Sequence, residues 1–295
     1  MTTLDNICLG TVKLGIPNYG FSSSSNQRVL NHIDFLKKVQ DIGIYRFDTS
    51  PRYGNSESLL GDYIKQSNRK LFISTKIDNL KSNDPKSPKI IVEKVKTSLQ
   101  KLNRSNIDVC YLHQNEMEII SDPYIHEGLS ILKESKLIKN SGASIYYINE
   151  CDYAVESGIF DYIQLPVNIA NLEFYNRFVK GNKTSVRFVA RSLLLQGALL
   201  NRSVIAEKIK QSNSIINYLK KIDMLSKLFS ISTHELVLSF VFSLSGIDHF
   251  IIGTSSTTNL IKNIQCVDLT ISKQLYNKII NLEPKASWVN PREWN

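Results

Sequence analysis

Eight short apolar runs, each rich in β-branched or aromatic residues and each followed by a longer segment with helical spacing, constrain this chain more than any other feature. The runs are ICLGT at 7–11, YRFDTS at 45–50, LFISTKI at 71–77, IDVCYLHQ at 107–114, IKNSGASIY at 138–146, YIQLPVN at 162–168, VRFVARSLL at 186–194 and HFIIGTS at 249–255. Between them, segments such as RVLNHIDFLKKVQDIG, SESLLGDYIKQS, IHEGLSILKESK and TTNLIKNI repeat their apolar residues at intervals of three and four, the period of a helix with one buried face. Strand and helix in alternation predict crossover units and a parallel sheet. Eight such units in 295 residues, with no break in composition and no Pro/Gly/Ser-rich linker, predict one domain over 1–295, an α/β fold of the (β/α)8 TIM-barrel kind. Helix-like sequence at 201–230 and the tail EPKASWVNPREWN are additions to the repeat.

Composition narrows the function classes. Cys8, Cys110, Cys151 and Cys266 are far apart and form no CxxC pair, which argues against a zinc site or a disulfide framework and for a reducing, cytoplasmic setting. No His/Asp/Glu cluster has metal-ligand spacing, so no metal is expected. The segment MTTLDNICLG lacks the pattern of a secretory signal, and no window approaches the roughly 18 apolar residues of a membrane span. The formal charge of +9 comes from lysines scattered along helix faces, as in KIIVEKVKTSLQKL, a solvated surface and not a nucleic-acid patch. A soluble monomer without nucleic-acid or membrane partners is expected.

In a barrel of this kind, chemistry is sought at the C-terminal ends of the strands. Strand two ends in Asp48, strand three in Lys76 and strand four in His113, while Tyr53 follows Asp48 in the corner FDTSPRYGNSE. A phenol loses its proton near pH 10 in isolation, and an adjacent ammonium lowers that value. Lys76 is placed to supply the ammonium, Asp48 to hold it, and His113 to hydrogen-bond an incoming carbonyl oxygen. Together the four predict a proton donor above an oxygen gaining negative charge. The other histidines, His32, His126, His234 and His249, lack this placement and read as helix-face or loop residues.

The order and spacing of these motifs resemble the aldo-keto reductases over most of the chain. FDTSPRYGNSESLLG is similar to that family's Asp-Thr-Ala, Tyr-Gly and Ser-Glu signature, ISTK to its strand-three lysine motif, and YLHQNE to its strand-four histidine motif. SGASIY, IQLPVN and GTSSTTNLIKNI resemble its cofactor-binding segments. The resemblance implies reduction of a small-molecule aldehyde or ketone, sugar-like ones included, by hydride transfer from NADP(H), with NAD(H) possible. It makes Tyr53 the general acid, Lys76 its neighbour, Asp48 the partner of Lys76 and His113 the group that orients the carbonyl.

No GxGxxG follows the first strand, so the nucleotide is not held as in a Rossmann fold. GTSSTTNLIKNI offers instead a glycine, a run of hydroxyls and a helix N-terminus, a phosphate-binding arrangement in which Ser255 or Ser256 can also cap the helix. By resemblance, Gly253, Thr254 and Asn263 contact the adenosine end, Ser192 the pyrophosphate, and Ser144 with Gln164 the nicotinamide carboxamide, while Thr11 borders the same pocket. Three positions depart from the family pattern: Ile145 stands for an Asn after the strand-five Ser, Arg191 for a stacking Tyr, and Asn259 for an Arg that grips a 2′-phosphate. Arg191 is retained as a cofactor residue on the diphosphate side.

Two further functions fit parts of the sequence: a lyase forming a Schiff base on Lys76, and a nucleotide-binding regulatory or structural barrel with little turnover. Tyr19, Trp288 and Trp294 are candidates to line the pocket, with simple packing on the barrel as the alternative.

Overall fold

The computed structural model describes residues 2–20, 31–67, 69–202, 205, 209, 212–282, 284 and 287–294. Eight parallel strands follow one another around a closed barrel in chain order. They are β1 (Ile7–Gly10), β2 (Arg46–Asp48), β3 (Phe72–Ile77), β4 (Ile107–Leu112), β5 (Ile138–Ser144), β6 (Tyr162–Pro166), β7 (Arg187–Arg191) and β8 (His249–Gly253). Closure is made by β1 on β8, with Gly10 beside Gly253, so no strand edge is left unpaired. This is the (β/α)8 architecture that the alternation predicted.

The crossovers are α1 (His32–Asp41), α2 (Ser56–Gln66), α3 (Ser87–Leu102), α4 (Pro123–Glu134) and α5 (Ile148–Glu156), then α6 (Ser212–Leu228) with α7 (Thr233–Phe242), and α8 (Thr257–Gln265) with α9 (Lys273–Ile280). Their starts follow from local chemistry. The Asn31 side chain accepts from the Ile33 and Asp34 amides to start α1, and Asp122 does the same for α4 with Pro123 in the first turn. Among the described residues the repeat departs from expectation in one crossover. Between β6 and β7 the chain makes a π-helical turn at Tyr175–Val179 where a crossover helix was expected. Among the described residues no single helix is long and apolar enough to cross a membrane.

The period of two along each strand separates the core into two parts. Phe47, Ile73, Cys110, Leu112, Ile163, Leu165 and Phe188 turn outward into the layer under the helices. Val109, Tyr111, Tyr162 and Val189 turn inward and form a separate cluster with Phe72 and Ile251. Each fully buried side chain of this size contributes roughly 1.5–3 kcal/mol relative to exposure. Gly142 makes room for the Tyr111 ring, since a Cβ there would lie 2.4 Å from it. Continued to the strand ends, the inward phase carries Asp48, Lys76, His113, Ser144, Gln164 and Arg191, which is why residues distant in sequence converge on one mouth.

The tail folds back as two short turns, Ser287–Val289 and Pro291–Glu293. Trp288 and Trp294 are 1% and 7% exposed and anchor it. The Trp288 indole donates to Ser214 Oγ (3.2 Å) and packs on Tyr218, and the Trp294 indole donates to the Trp288 carbonyl (2.7 Å). Neither lines the barrel mouth; both are packing residues.

Candidate active site

The corner that carries Tyr53 is fixed by glycine. Gly54 turns the chain with a φ of 58°, and the backbone of Gly15 presses on Tyr53 so closely that a Cβ on Gly15 would lie 1.7 Å from the Tyr53 carbonyl oxygen. Ser56 ties the same corner to the β1 loop, donating to the Thr11 carbonyl and hydroxyl at 3.0 and 2.7 Å. Ser56 therefore does not cap its helix, and Asn55 holds the N-cap position without a side-chain bond. Gly15→Ala is expected to displace Tyr53 and lower kcat about a hundredfold, the cost of an ångström-scale misplacement of a reacting group. Steady-state kinetics beside a nucleotide-binding titration check this; unchanged kcat would show that the loop relaxes freely.

Asp48 and Lys76 form a buried ion pair beneath Tyr53, each 3% exposed, with Lys76 Nζ 2.5 Å from Asp48 Oδ1. Nζ also donates to the Thr49 carbonyl (2.9 Å), and Asp48 Oδ2 accepts from Ser74 Oγ (2.9 Å) and Gln164 Nε2 (2.7 Å). Burial opposes the Lys76 charge, but Asp48 and Tyr53 raise its pKa overall, so it is an ammonium. It lies 5.0 Å from the Tyr53 ring centroid. The phenol pKa is nevertheless raised: burial exceeds the lowering by the Lys76 charge and hydrogen bond, and Asp48 adds to the rise. Lys76 does lower the phenol pKa, as the sequence led us to expect, but the net direction is upward because the phenol is deeply buried, with Asp48 adding to the rise.

His113 stands edge-on to Tyr53, with ring centroids 6.1 Å apart. Ser50 Oγ accepts from the Arg52 amide (3.1 Å) and lies 3.2 Å from His113 Nδ1. In the tautomer in which the Ser50 hydroxyl donates to Nδ1, the imidazole proton is on Nε2, on offer to a ligand in the cavity. Burial, then the charges of Lys76, Arg52, Arg191 and Arg292, push the imidazole pKa down to about 3. The unfolded chain takes up a proton near pH 6.5 that the folded chain refuses, so this group's contribution to stability is present above pH 6.5 and is lost as pH falls toward 3. Urea unfolding from pH 7 to pH 4 should show that slope, and His113→Asn should flatten it. Part of the slope remains because His249, at the other end of the barrel, is pushed down to about 4.

One cavity of about 800 Å³ joins this set to the ends of β5, β7 and β8. Ser144, Gln164, Arg191 and Ser192 line one side, and Gly253, Thr254 and Asn263 the other. Tyr19 also lines it. Thr11 does not. It falls on the outward phase of β1 and is fully buried, its hydroxyl donating to the Asp48 carbonyl (3.0 Å), while its neighbour Gly10 borders the cavity. Ile145 likewise turns outward into the core under the helices.

Ser256, not Ser255, caps α8 through the Asn259 amide. His234 lies on helix α7, consistent with the helix-face or loop reading, and from there it lines the cavity, its Nε2 donating to Asn263 Oδ1 (2.8 Å). Only the packing of α7 against α8 reveals that pairing. Tyr146 is a second lining residue that sequence reasoning passed over. It stands two residues beyond Ser144, which puts it on the same phase.

The sequence model of the Aldo/keto reductase family matches residues 6–283. D-arabinose 1-dehydrogenase of Saccharomyces cerevisiae is 28% identical over 189 residues, covering 57% of this chain and 55% of that protein. The match thus spans about half the length of that relative. An oxidoreductase of Schizosaccharomyces pombe is 23% identical over 251 residues, covering 83% of this chain and 76% of its own. The holo form of an aldo-keto reductase from Bacillus halodurans superposes with a TM-score of 0.72 at 22% identity, covering 89% of this chain and 90% of that one, which supports the fold. With the family's match running over nearly the whole barrel, the chain belongs to the Aldo/keto reductase family.

Proposed function

We propose that this chain reduces an aldehyde or ketone, sugar-like ones included, to an alcohol with NADPH or NADH as reductant and Tyr53 as general acid. The observation that carries the reading is the convergence of Asp48, Lys76, Tyr53 and His113 at the floor of one cavity. Tyr53, protonated at neutral pH, donates to the carbonyl oxygen, and the Lys76 ammonium stabilises the phenolate left behind. His113, neutral and with its Nε2 proton directed to the ligand, donates a second hydrogen bond to the same oxygen. Asp48 need not touch the substrate; it keeps Lys76 charged and in place.

A nicotinamide nucleotide, when bound, supplies the hydride. The residues present fit it. Gln164 Oε1 is buried with no partner while Nε2 is committed to Asp48, so Gln164 offers an unused acceptor to the N–H of a carboxamide, with Ser144 beside it. Gly253, Thr254 and Asn263 would hold the adenosine end, and His234 keeps the Asn263 amide oriented. Ser192 and the free amides at the start of α8 would hold the phosphates, and Arg191 borders them through its bond to Ser192 Oγ (3.4 Å). Asn259 brings no charge to a 2′-phosphate, but Lys262, three residues on along α8 and lining the same cavity, does. That supports NADPH, with NADH remaining in the proposal.

A Schiff base on Lys76 needs a neutral amine, and the raised pKa of this buried, ion-paired ammonium argues against it. Fluorescence titration with NADPH and with NADH, followed by absorbance assays of the reduced nucleotide across an aldehyde and ketone panel, tests the reading. Tight binding with consumption supports it. Failure of both nucleotides to bind sinks it, and binding without consumption points to a regulatory barrel.

A further inference from the structure

Ser50 lies between the two halves of the proton-delivery site and serves both. Its carbonyl accepts from the Tyr53 amide (3.0 Å), closing the turn that carries the phenol. Its hydroxyl faces the imidazole, with Oγ 3.2 Å from His113 Nδ1. Ser50 is fully buried and does not line the cavity, so neither solvent nor a ligand meets that hydroxyl. FDTS has Ser where the Asp-Thr-Ala signature that it resembles has Ala, which makes the hydroxyl this chain's own addition.

A hydroxyl has one hydrogen, and a neutral imidazole has one N–H and one bare nitrogen. The two groups can join in two ways. In the first, the hydroxyl donates to a bare Nδ1 and Nε2 carries the proton. In the second, Nδ1–H donates to Oγ, Nε2 is bare, and the hydroxyl hydrogen needs another acceptor. Among the described residues Oγ has two partners, His113 Nδ1 and the Arg52 amide, and the amide is itself a donor (3.1 Å). The second arrangement therefore buries an unbonded O–H, whereas buried polar groups are almost always bonded. The first leaves every hydrogen at the contact with an acceptor.

Asp78 is the carboxylate that could draw a proton to Nδ1 instead. It follows Ile77, which is in register with Leu112 and whose carbonyl accepts from the His113 amide (2.8 Å), so Asp78 and His113 are neighbours across β3 and β4. Its charge is engaged by Arg52, 2.9 Å away. Arg52 thus supports the first arrangement twice, with its amide on Ser50 and its guanidinium on Asp78. Burial and the surrounding cations keep the imidazole neutral, so the two ring nitrogens have opposite characters. His113 lines the cavity. An Nε2–H there attracts a carbonyl oxygen, and a bare Nε2 repels it.

We propose that Ser50 is a positioning residue: its hydroxyl holds His113 Nδ1 as an acceptor and thereby presents Nε2–H to the substrate oxygen. Its kinetic consequence rests on the carbonyl-reduction reading of the cavity; the state of the ring does not. Ser50→Ala removes the hydroxyl and little volume. Nitrogen-15 NMR of histidine-labelled, nucleotide-free protein, with His113→Asn to assign the signal, reads the ring. In the unaltered protein Nδ1 is bare and hydrogen-bonded, and Nε2 is protonated. In Ser50→Ala the Nδ1 resonance moves to that of an unbonded acceptor or averages with the other tautomer. With a reduced carbonyl as substrate, kcat falls about tenfold, the rate equivalent of one lost hydrogen bond, while nucleotide affinity stays within about twofold. Ser50→Thr keeps the hydroxyl and recovers most of both signals. Ser50→Cys, a weaker donor of similar size, serves if melting temperatures show that the alanine variant is not folded.

A residue with a merely structural role would lower the melting temperature and move neither the Nδ1 resonance nor kcat. A proton on Nδ1 in the unaltered protein, or an Nδ1 resonance that loss of the hydroxyl leaves in place, overturns the inference and leaves carbonyl reduction standing. A shifted resonance with unchanged kcat also overturns it, since the ring would then be free to vary without effect on the chemistry. If no carbonyl is reduced, the carbonyl-reduction reading fails, and the NMR comparison alone decides whether Ser50 sets the state of His113.

Discussion

Tyr53→Phe is expected to lower turnover by about a hundred- to ten-thousandfold while leaving nucleotide affinity within about twofold. The variant removes one oxygen and its proton and keeps the ring against His113 and above Lys76, so packing and the Gly15 contact persist. It loses the group proposed to donate to the carbonyl oxygen. Because burial raises the phenol pKa, the unaltered enzyme should hold its reductive rate flat through neutral pH and lose it only above the ordinary phenol value of about 10. Pre-steady-state and steady-state rates across that range, beside a nucleotide titration of the variant, supply the comparison. Undiminished turnover in Tyr53→Phe would remove Tyr53 from the mechanism.

The second large effect is on stability. Lys76→Met leaves the Asp48 carboxylate buried with only Ser74 Oγ and Gln164 Nε2 to satisfy it. Breaking a buried pair in this way costs about 3–5 kcal/mol, far more than the pair contributes over an apolar replacement. The double variant Asp48→Asn, Lys76→Met is therefore expected to regain most of the lost stability, since no charge is left buried, yet to remain as inactive as the single one. Urea unfolding of the three proteins measures both steps. A double variant less stable than Lys76→Met would mean that the pair contributes through geometry and not through charge compensation.

The residues on which these predictions turn were legible to different degrees. Asp48, Lys76 and His113 could be read from the chain because each closes an apolar run, and a strand's alternation says on which side its last residue falls. The same rule, applied strictly, excludes Thr11 and selects Gly10 and Tyr146. Gly15 was not legible: its importance lies in the distance between two loops that only the closed barrel brings together. His234 and Arg292 are of the same kind, one placed by α7 against α8 and the other by two tryptophans near the chain's end. The missing crossover helix after β6 had no signal either, since a π-helical turn and an α-helix draw on similar residues. Sign as well as position was hard to read at Tyr53, where the net pKa shift depends on how deeply the phenol is buried.

All four cysteines are buried and free, and burial raises the pKa of each thiol. The reactive thiolate form is therefore scarce at neutral pH in the folded protein. This gives a background against which a single introduced cysteine, for example at Met224, 70% exposed on α6, would be the dominant target for a maleimide dye. Site-specific labels can thus report on the rim and the tail without first stripping the native thiols from the core.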